Sequence, residues 1–250
     1  MDARRKVHGA IALPSSGIKC DLHIHTCEDP VDKGITYSSY DIINLAKRNG
    51  FNCIAITCHN KVVYNETMNE IAGDMLLIPG CEMTIEKAHV LVYNITEEER
   101  KSITTFEGLR KWKKSRKNVM VIVPHMCFPV ASGLGVERFE KYHDIFDAVE
   151  IAQFYKGPID YNKKAIALAK KYNKPLVANS DAHSLRFFGA PHSLIEGKHL
   201  ERYEVIKHIR DGKVKPVTRP STYKEAYHVG KRIVWCWLLG KLGCSCDGPF

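Results

Sequence analysis

Short apolar stretches alternate with longer amphipathic stretches from residue 19 to residue 218. Seven apolar stretches have the length and β-branched character of buried strands: 19–24, 51–57, 75–80, 89–94, 119–123, 147–152 and 175–180. Four stretches have helical spacing, with cap residues at their ends: 38–50, 104–118, 160–175 and 200–213. This alternation predicts an α/β fold with a parallel sheet covered on both faces. Seven strands in about 200 residues favour a closed or nearly closed barrel, and an open doubly wound sheet is the alternative.

Polar residues with metal-binding side chains follow the predicted strands. His23 and His25 end the first strand, and side chains two residues apart on a strand share a face. Catalytic groups of a barrel gather at the carboxyl ends of its strands. Any one such residue has an ordinary structural explanation, but their joint placement indicates a site. The other residues at strand ends are His59, Glu82, His125, Asp181 and His183. His89 instead stands at the start of its strand, before the apolar residues 90–94, and Glu150 lies inside a strand.

The chemistry of these side chains predicts a metal centre. Imidazole and carboxylate together suit Mn, Fe, Zn or Co. The set is larger than one tetrahedral ion needs, so we expect two or three divalent ions, with Glu82 or Asp181 able to bridge two of them. Clustered divalent ions activate hydroxide at neutral pH and stabilise phosphoryl transfer. The net charge of +9 fits an anionic phosphate substrate.

The composition of the 250-residue chain predicts one folded domain and a reducing compartment. We divide the chain into a lead-in (1–18), the barrel domain (19–220) and a tail (221–250) that can dock on the barrel. The nine cysteines include no C-x-x-C pair, the start lacks the pattern of a signal peptide, and no apolar run is long enough to span a bilayer. These features predict a cytoplasmic protein, while the oligomeric state stays open.

Two segments have competing interpretations. The basic run 110–117 is either a solvated helix face or a surface that attracts nucleic acid or another polyanion. The apolar stretch 231–243 is either a terminal element packed on the barrel or a contact with a membrane surface or a second copy.

Six motifs, in order along the chain, resemble those of the PHP superfamily (polymerase and histidinol phosphatase). They are DLHIHT (21–26), AITCHN (55–60), IPGCEMT (78–84), AHVLVYN (88–94), VIVPH (121–125) and NSDAH (179–183). The later segments 188–196 and 209–220 resemble the C-terminal part that accompanies many stand-alone PHP phosphoesterases. The resemblance covers nearly 200 residues. It implies a distorted (β/α)7 TIM-like barrel with a trinuclear metal site that acts on phosphate esters.

The resemblance also implies a ligand set. The first ion would take His23, His25, Glu82 and Asp181; the second Glu82, His89 and His125; and the third His59 and His183. The family often supplies a further ligand to the third ion from the loop after H-x-H. Here we favour Asp29, with Asp32 and Glu28 as alternatives, and Cys58 replaces an acid that is frequent in the family.

The implied activity is hydrolysis of phosphate monoesters, small-molecule or nucleotide, by hydroxide activated at a di- or trinuclear centre of Mn, Zn or Fe. Arg186 is the predicted phosphate clamp, with a surface arginine as the alternative, and His192 a candidate acid for the leaving group or a structural histidine. The competing functions are a 5′→3′ exonuclease on short RNA or DNA and a non-catalytic metal-binding PHP module. The sequence does not identify the physiological substrate.

Overall fold

The computed structural model describes residues 17–128, 132–152, 155, 160–223 and 227. Strands and helices alternate along this part of the chain. The strands are β1 (Gly17–Ile24), β2 (Cys53–Ile56), β3 (Leu76–Leu77), β4 (Gly80–Ile85), β5 (Ala88–Tyr93), β6 (Met120–Val123), β7 (Ala148–Ile151), β8 (Leu176–Ala178), β9 (His192–Glu196) and β10 (Val214–Val217). The helices are α1 (Ser39–Arg48), α2 (Glu66–Ala72), α3 (Glu97–Ser102), α4 (Phe106–Lys114), α5 (Val136–Tyr142), α6 (Asn162–Lys171) and α7 (Arg202–Arg210).

The four predicted helices are present, and α1 shows why they form where they do. The Ser38 hydroxyl accepts from the backbone N–H of Asp41, and the Asp41 carboxylate accepts from the backbone N–H of Ser38. This reciprocal cap begins the helix at the predicted serine. Ile42, Ile43 and Ala46 lie on one helix face and are buried, so the amphipathic pattern sets which face packs inward.

The strands form two five-stranded sheets, ordered β10-β9-β1-β2-β3 and β4-β5-β6-β7-β8. The pairs β1–β2, β2–β3, β6–β7 and β7–β8 are parallel, whereas β4–β5, β5–β6, β1–β9 and β9–β10 are antiparallel. The predicted mixed α/β class is therefore confirmed. The expectation of an all-parallel sheet is wrong, and the ladders of the described strands form two sheets rather than one closed barrel.

Two isolated bridges connect the sheets. His59 pairs with Glu82 in parallel, and Ile24 pairs with Ala182 in parallel. One bridge thus joins two predicted metal ligands, and the other lies beside His25 and between Asp181 and His183. The junctions between the sheets are therefore the places where the predicted site residues meet.

Side chains, rather than a continuous ladder, satisfy the backbone where β1 faces the end of β8. The Asn179 side-chain oxygen accepts from the N–H of Leu22 at 2.9 Å, and the Tyr93 hydroxyl donates to the Leu22 carbonyl at 2.8 Å. The Asp21 carboxylate accepts from the N–H of Ser180 at 3.0 Å. Buried backbone groups need partners, and these three side chains supply them without extending the sheet.

Intramolecular ion pairs occupy part of the basic run 110–117. Arg110 binds Asp144 at 2.8 Å, Lys113 binds Asp147 at 2.8 Å, and Arg116 binds Glu99 at 2.6 Å. Half of the six cations in 110–117 thus have acidic partners, which agrees with the solvated-helix interpretation.

The apolar stretch 231–243 lies outside the described residues, so its predicted packing is untested. Among the helices that the structure describes, none has the length and apolar character to cross a bilayer.

Candidate metal centre

The end of β1 aims two imidazoles at one point. The register of β1 with β2 is irregular between Asp21 and Ile24, the segment that contains His23. The Nε2 atoms of His23 and His25 lie 3.2 Å apart, and both rings are fully buried. Irregularities of this kind re-aim side chains beside active sites, and here both histidines converge as the H-x-H spacing predicts.

A carboxylate holds the other nitrogen of each ring. His23 Nδ1 lies 3.1 Å from Glu150 Oε2, and His25 Nδ1 lies 2.9 Å from Asp29 Oδ2. A carboxylate only accepts, so each Nδ1 carries a proton, and Nε2 is the nitrogen left with a lone pair when the ring is neutral. This is the orientation that a metal-binding histidine requires.

Glu82 stands between two groups of histidines. It lies in β4 and is buried. Its Oε1 is 2.8 Å from His89 Nδ1 and 3.1 Å from His125 Nε2. Its Oε2 faces ring nitrogens at 3.4, 3.3 and 3.1 Å, those of His23, His25 and His59 respectively. Because each oxygen serves a different group, the carboxylate has the arrangement of a bridge between two ions.

Asp181 lies in the loop after β8 and joins the group of donors around His23 and His25. Its Oδ1 lies 3.4 Å from Nε2 of both His23 and His25. Asp181 has φ 47° and His125 has φ 27°, a region that non-glycine residues rarely occupy. Such strain persists where the surroundings determine the conformation, and it concentrates at functional sites.

A third group contains Asp32 rather than Asp29. Asp32 Oδ2 lies 2.7 Å from His183 Nε2 and 3.5 Å from His59 Nδ1. Donor atoms of His25, Asp32, His59 and His183 all lie within 4.8 Å of one another. The carboxylate of Glu28, the other alternative, instead accepts from Ser39 at the start of α1.

The oxygens of Asp29 are already used. Oδ2 accepts from His25 Nδ1 and from the backbone N–H of His59 at 2.7 Å, and it lies 3.0 Å from His59 Nδ1. Oδ1 accepts from the backbone N–H groups of Val31 and Asp32 at 2.7 and 3.0 Å. Five contacts leave this carboxylate little capacity for a metal ion. The geometry therefore favours Asp32 as the loop ligand and gives Asp29 the task of orienting His25 and His59.

We expect Asp32→Asn to lower the number of bound ions by one per chain, because it weakens the group around His183 and leaves Glu82 in place. Asp29→Asn should instead weaken binding by about 10- to 100-fold without removing a ligand. Metal content after equilibration at a fixed free Mn²⁺ concentration separates the two variants. If Asp29→Asn lost an ion and Asp32→Asn did not, the roles would be reversed.

The spacing of the donors fits divalent ions. Two donors bound at about 2.0–2.1 Å from one ion, at octahedral or tetrahedral angles, lie about 2.8–3.4 Å apart. The contacts among His23, His25, Glu82 Oε2 and Asp181 span 3.2–3.4 Å. In three groups the donor atoms lie within 4.8 Å of one another, and their nitrogen and carboxylate composition suits Mn, Zn or Fe.

Electrostatics couple these side chains. Burial lowers the pKa of His59, but the negative charge of Glu82 and the hydrogen bonds to Asp29 and Glu82 together outweigh it, and the pKa rises to about 9. The pKa of His23 and that of His25 also rise, because nearby carboxylates overcome the effect of burial. The pKa of Glu82 falls well below its usual range despite burial, because the histidines around it favour the charged form. Strong mutual shifts in one cleft are typical of functional sites.

The two predicted catalytic residues are placed differently. Arg186 is exposed on the loop after Asp181, and no described residue forms an ion pair with it. His192 begins β9; its Nδ1 lies 3.2 Å from the Gly189 carbonyl, and its ring contacts Phe51 edge to face. None of these described contacts of His192 reaches the histidine cluster. Its role as an acid stays a prediction, which the pH–rate profile of His192→Gln checks.

Comparison with known proteins supports the resemblance in the motifs. Residues 160–214 match the family model described as PHP-associated. An uncharacterised protein of Methanocaldococcus jannaschii is 27% identical over 146 residues, which cover 50% of this chain and 84% of that protein.

Two solved structures share the fold. PsfC from Pseudomonas syringae superposes with a TM-score of 0.61 at 15% identity, covering 90% of this chain and 99% of that one. An amidohydrolase from Chromobacterium violaceum, solved with bound sulfate and no metal, gives 0.54 at 12% identity, covering 78% of this chain and 97% of that one. At this identity the likeness concerns the fold alone. The match of residues 160–214 to the PHP-associated family model agrees with the resemblance to the PHP superfamily that the ordered motifs carry.

Proposed function

We propose that this protein hydrolyses phosphate monoesters at a centre of two or three divalent ions. One observation supports the proposal above the others: the two oxygens of Glu82 face separate groups of histidines, so one buried carboxylate can bridge two ions. The proposed ligands are His23, His25, Asp32, His59, Glu82, His89, His125, Asp181 and His183.

The protein's own residues hold and orient the reacting groups. When bound, divalent ions supply Lewis acidity, which lowers the pKa of water and neutralises phosphoryl oxygens. Glu150 and Asp29 hold the protons of His23 and His25 at Nδ1, which keeps both Nε2 atoms aimed inward. Arg186, on the same loop as Asp181, is the proposed clamp for substrate oxygens, since a planar guanidinium binds two of them at once.

A substrate panel tests this function. Reduced, Mn-loaded protein is assayed for phosphate release from an aryl phosphate, from mononucleotides and from a 5′-phosphorylated oligonucleotide. We expect release from the monoesters. Mononucleotide products from the oligonucleotide, with no phosphate from the small esters, would favour the exonuclease instead, and salt-sensitive oligonucleotide binding would accompany that result. No turnover despite bound ions would favour the non-catalytic module.

Arg186→Ala is expected to raise KM about 10-fold for a small phosphoester and to weaken inhibition by free phosphate by a similar factor, because one charge-assisted clamp is lost. Arg186→Lys should recover only part of this, since lysine lacks the planar fork. The melting temperature should not change, because the side chain is exposed. Unchanged KM and unchanged phosphate inhibition in Arg186→Ala would make Arg186 a surface arginine.

A further inference from the structure

Glu150 is a buried acid in an otherwise apolar strand. Its neighbours in β7 are Val149 and Ile151, and the glutamate side chain is 1% exposed. No described lysine or arginine forms an ion pair with it. A buried carboxylate without a cationic partner is costly unless hydrogen bonds or another charge compensate it. For Glu150 the compensation comes from the two side chains that contact it, His23 and Asn179.

Two neighbours bind the same oxygen of Glu150. Oε2 lies 3.1 Å from His23 Nδ1 and accepts from the Asn179 side-chain amide at 2.8 Å. The other end of the Asn179 side chain accepts from the backbone N–H of Leu22, the residue before His23. Asn179 therefore fixes Glu150 and the backbone of β1 relative to each other, across the junction between the two sheets.

This arrangement determines which nitrogen of the His23 ring can bind a metal ion. In the neutral ring with its proton held at Nδ1, Nε2 presents a lone pair 3.2 Å from His25 Nε2 and 3.4 Å from both Glu82 Oε2 and Asp181 Oδ1. The opposite tautomer would place a proton at the point where these donors converge. One hydrogen bond from β7 thus decides whether His23 is a ligand.

We propose that Glu150, held by Asn179, is a positioning residue that fixes the tautomer and the ring orientation of His23. This inference rests on the proposed metal centre and deepens it. It also explains how β7 serves the site although the strand places no donor in the clusters of described residues.

The test replaces Glu150 by glutamine, which preserves the length and the capacity to hydrogen-bond but removes the charge. A glutamine presents either its oxygen or its NH₂ group to Nδ1, so the preference for one tautomer is lost. We expect Glu150→Gln to weaken Zn²⁺ binding about 10- to 100-fold in a chelator competition, as changes to the hydrogen-bond partners of metal-binding histidines do. Glu150→Leu should weaken it further, because no partner for Nδ1 remains.

The decisive readout is the protonation of the His23 ring in the Zn²⁺-loaded protein, read from long-range ¹H–¹⁵N spectra. We expect Nδ1–H and an unprotonated Nε2 in the unmodified protein, and a mixture of the two ring states in Glu150→Gln. Asp147→Asn is the matched control. Asp147 lies just before β7 and binds Lys113 and Arg210, so its loss should leave the tautomer and Zn²⁺ affinity unchanged.

The outcomes separate this inference from the proposed function. Unchanged tautomer and unchanged Zn²⁺ affinity in Glu150→Gln would overturn the positioning role, even if the enzyme is active. A changed tautomer with weaker Zn²⁺ binding would support it, even if no phosphoester in the panel is hydrolysed. If Glu150→Leu fails to fold, Glu150→Gln and the spectra still decide.

Discussion

Glu82→Ala is expected to reduce phosphoester turnover by at least about 1,000-fold, equivalent to about 4 kcal/mol of transition-state stabilisation. The reason is geometric: the carboxylate faces His89 and His125 through one oxygen, and His59 and the β1 histidines through the other. Its removal takes a ligand from two groups at once. The measurements are initial rates of phosphate release and the metal content of the purified variant.

Two further variants make this result specific. Glu82→Gln retains the side-chain volume but loses the charge that two cations need, and we expect nearly the same loss of turnover. Glu140→Ala removes a carboxylate from an exposed pair with Lys171 at 2.6 Å and should leave turnover unchanged. Turnover in Glu82→Ala within 10-fold of the unmodified protein, at full metal loading, would contradict the bridging role.

Chelation is expected to destabilise the protein, and more strongly at alkaline pH. A free metal concentration about 1,000 times the dissociation constant stabilises the folded chain by about 4 kcal/mol. Thermal unfolding with Mn²⁺ and with excess chelator, at pH 6, 7 and 8.5, measures the difference. A melting temperature that does not respond to metal at any of these pH values would contradict a multinuclear centre in the folded protein.

The sign of the pH dependence follows from the shifted pKa values of the metal-free protein. Burial lowers the folded-state pKa of His59, but the charge of Glu82 and the hydrogen bonds to Asp29 and Glu82 together raise it from 6.5 to about 9. Its contribution to stability is fully present below about pH 6.5 and is lost as the pH rises toward 9. The folded-state pKa values of Glu82 and Asp181 are lowered, so their contribution is present above about pH 4 and is lost in stronger acid.

The metal-free protein should therefore be most stable between about pH 4.5 and 6.5. Metal binding must displace protons from the histidines, so affinity rises with pH. At a fixed Mn²⁺ concentration the stabilisation by metal should thus be larger at pH 8.5 than at pH 6.

The strand pattern predicted most of the geometry around His23 and His25, because the two-residue spacing alone places both rings on one side of a strand. It misplaced Glu82. The predicted strand 75–80 is divided between β3 and β4, and Glu82 lies inside β4 rather than after a strand. Strands β4 and β5 pair antiparallel, which explains why His89, at the start of its predicted strand, still reaches Glu82. Apolar content does not reveal strand direction, so sequence alone could not show this.

Local sequence was also insufficient for the loop after His25. Asp29 and Asp32 are equally acidic, and only the backbone N–H groups that converge on Asp29 distinguish their tasks. Strands β9 and β10 were not predicted, and β10 contains Pro216, a residue that argues against a central strand. Glu150 did carry a usable signal: an acid inside an apolar strand needs a partner, although the sequence could not indicate His23.

The most direct test of the central claim is a titration of metal-free, reduced protein with Mn²⁺ while phosphate release from an aryl phosphate is followed. A bridging Glu82 predicts little turnover with one ion per chain and a steep rise once the second ion is bound. Full activity with the first ion, or with none, would contradict a multinuclear phosphoesterase.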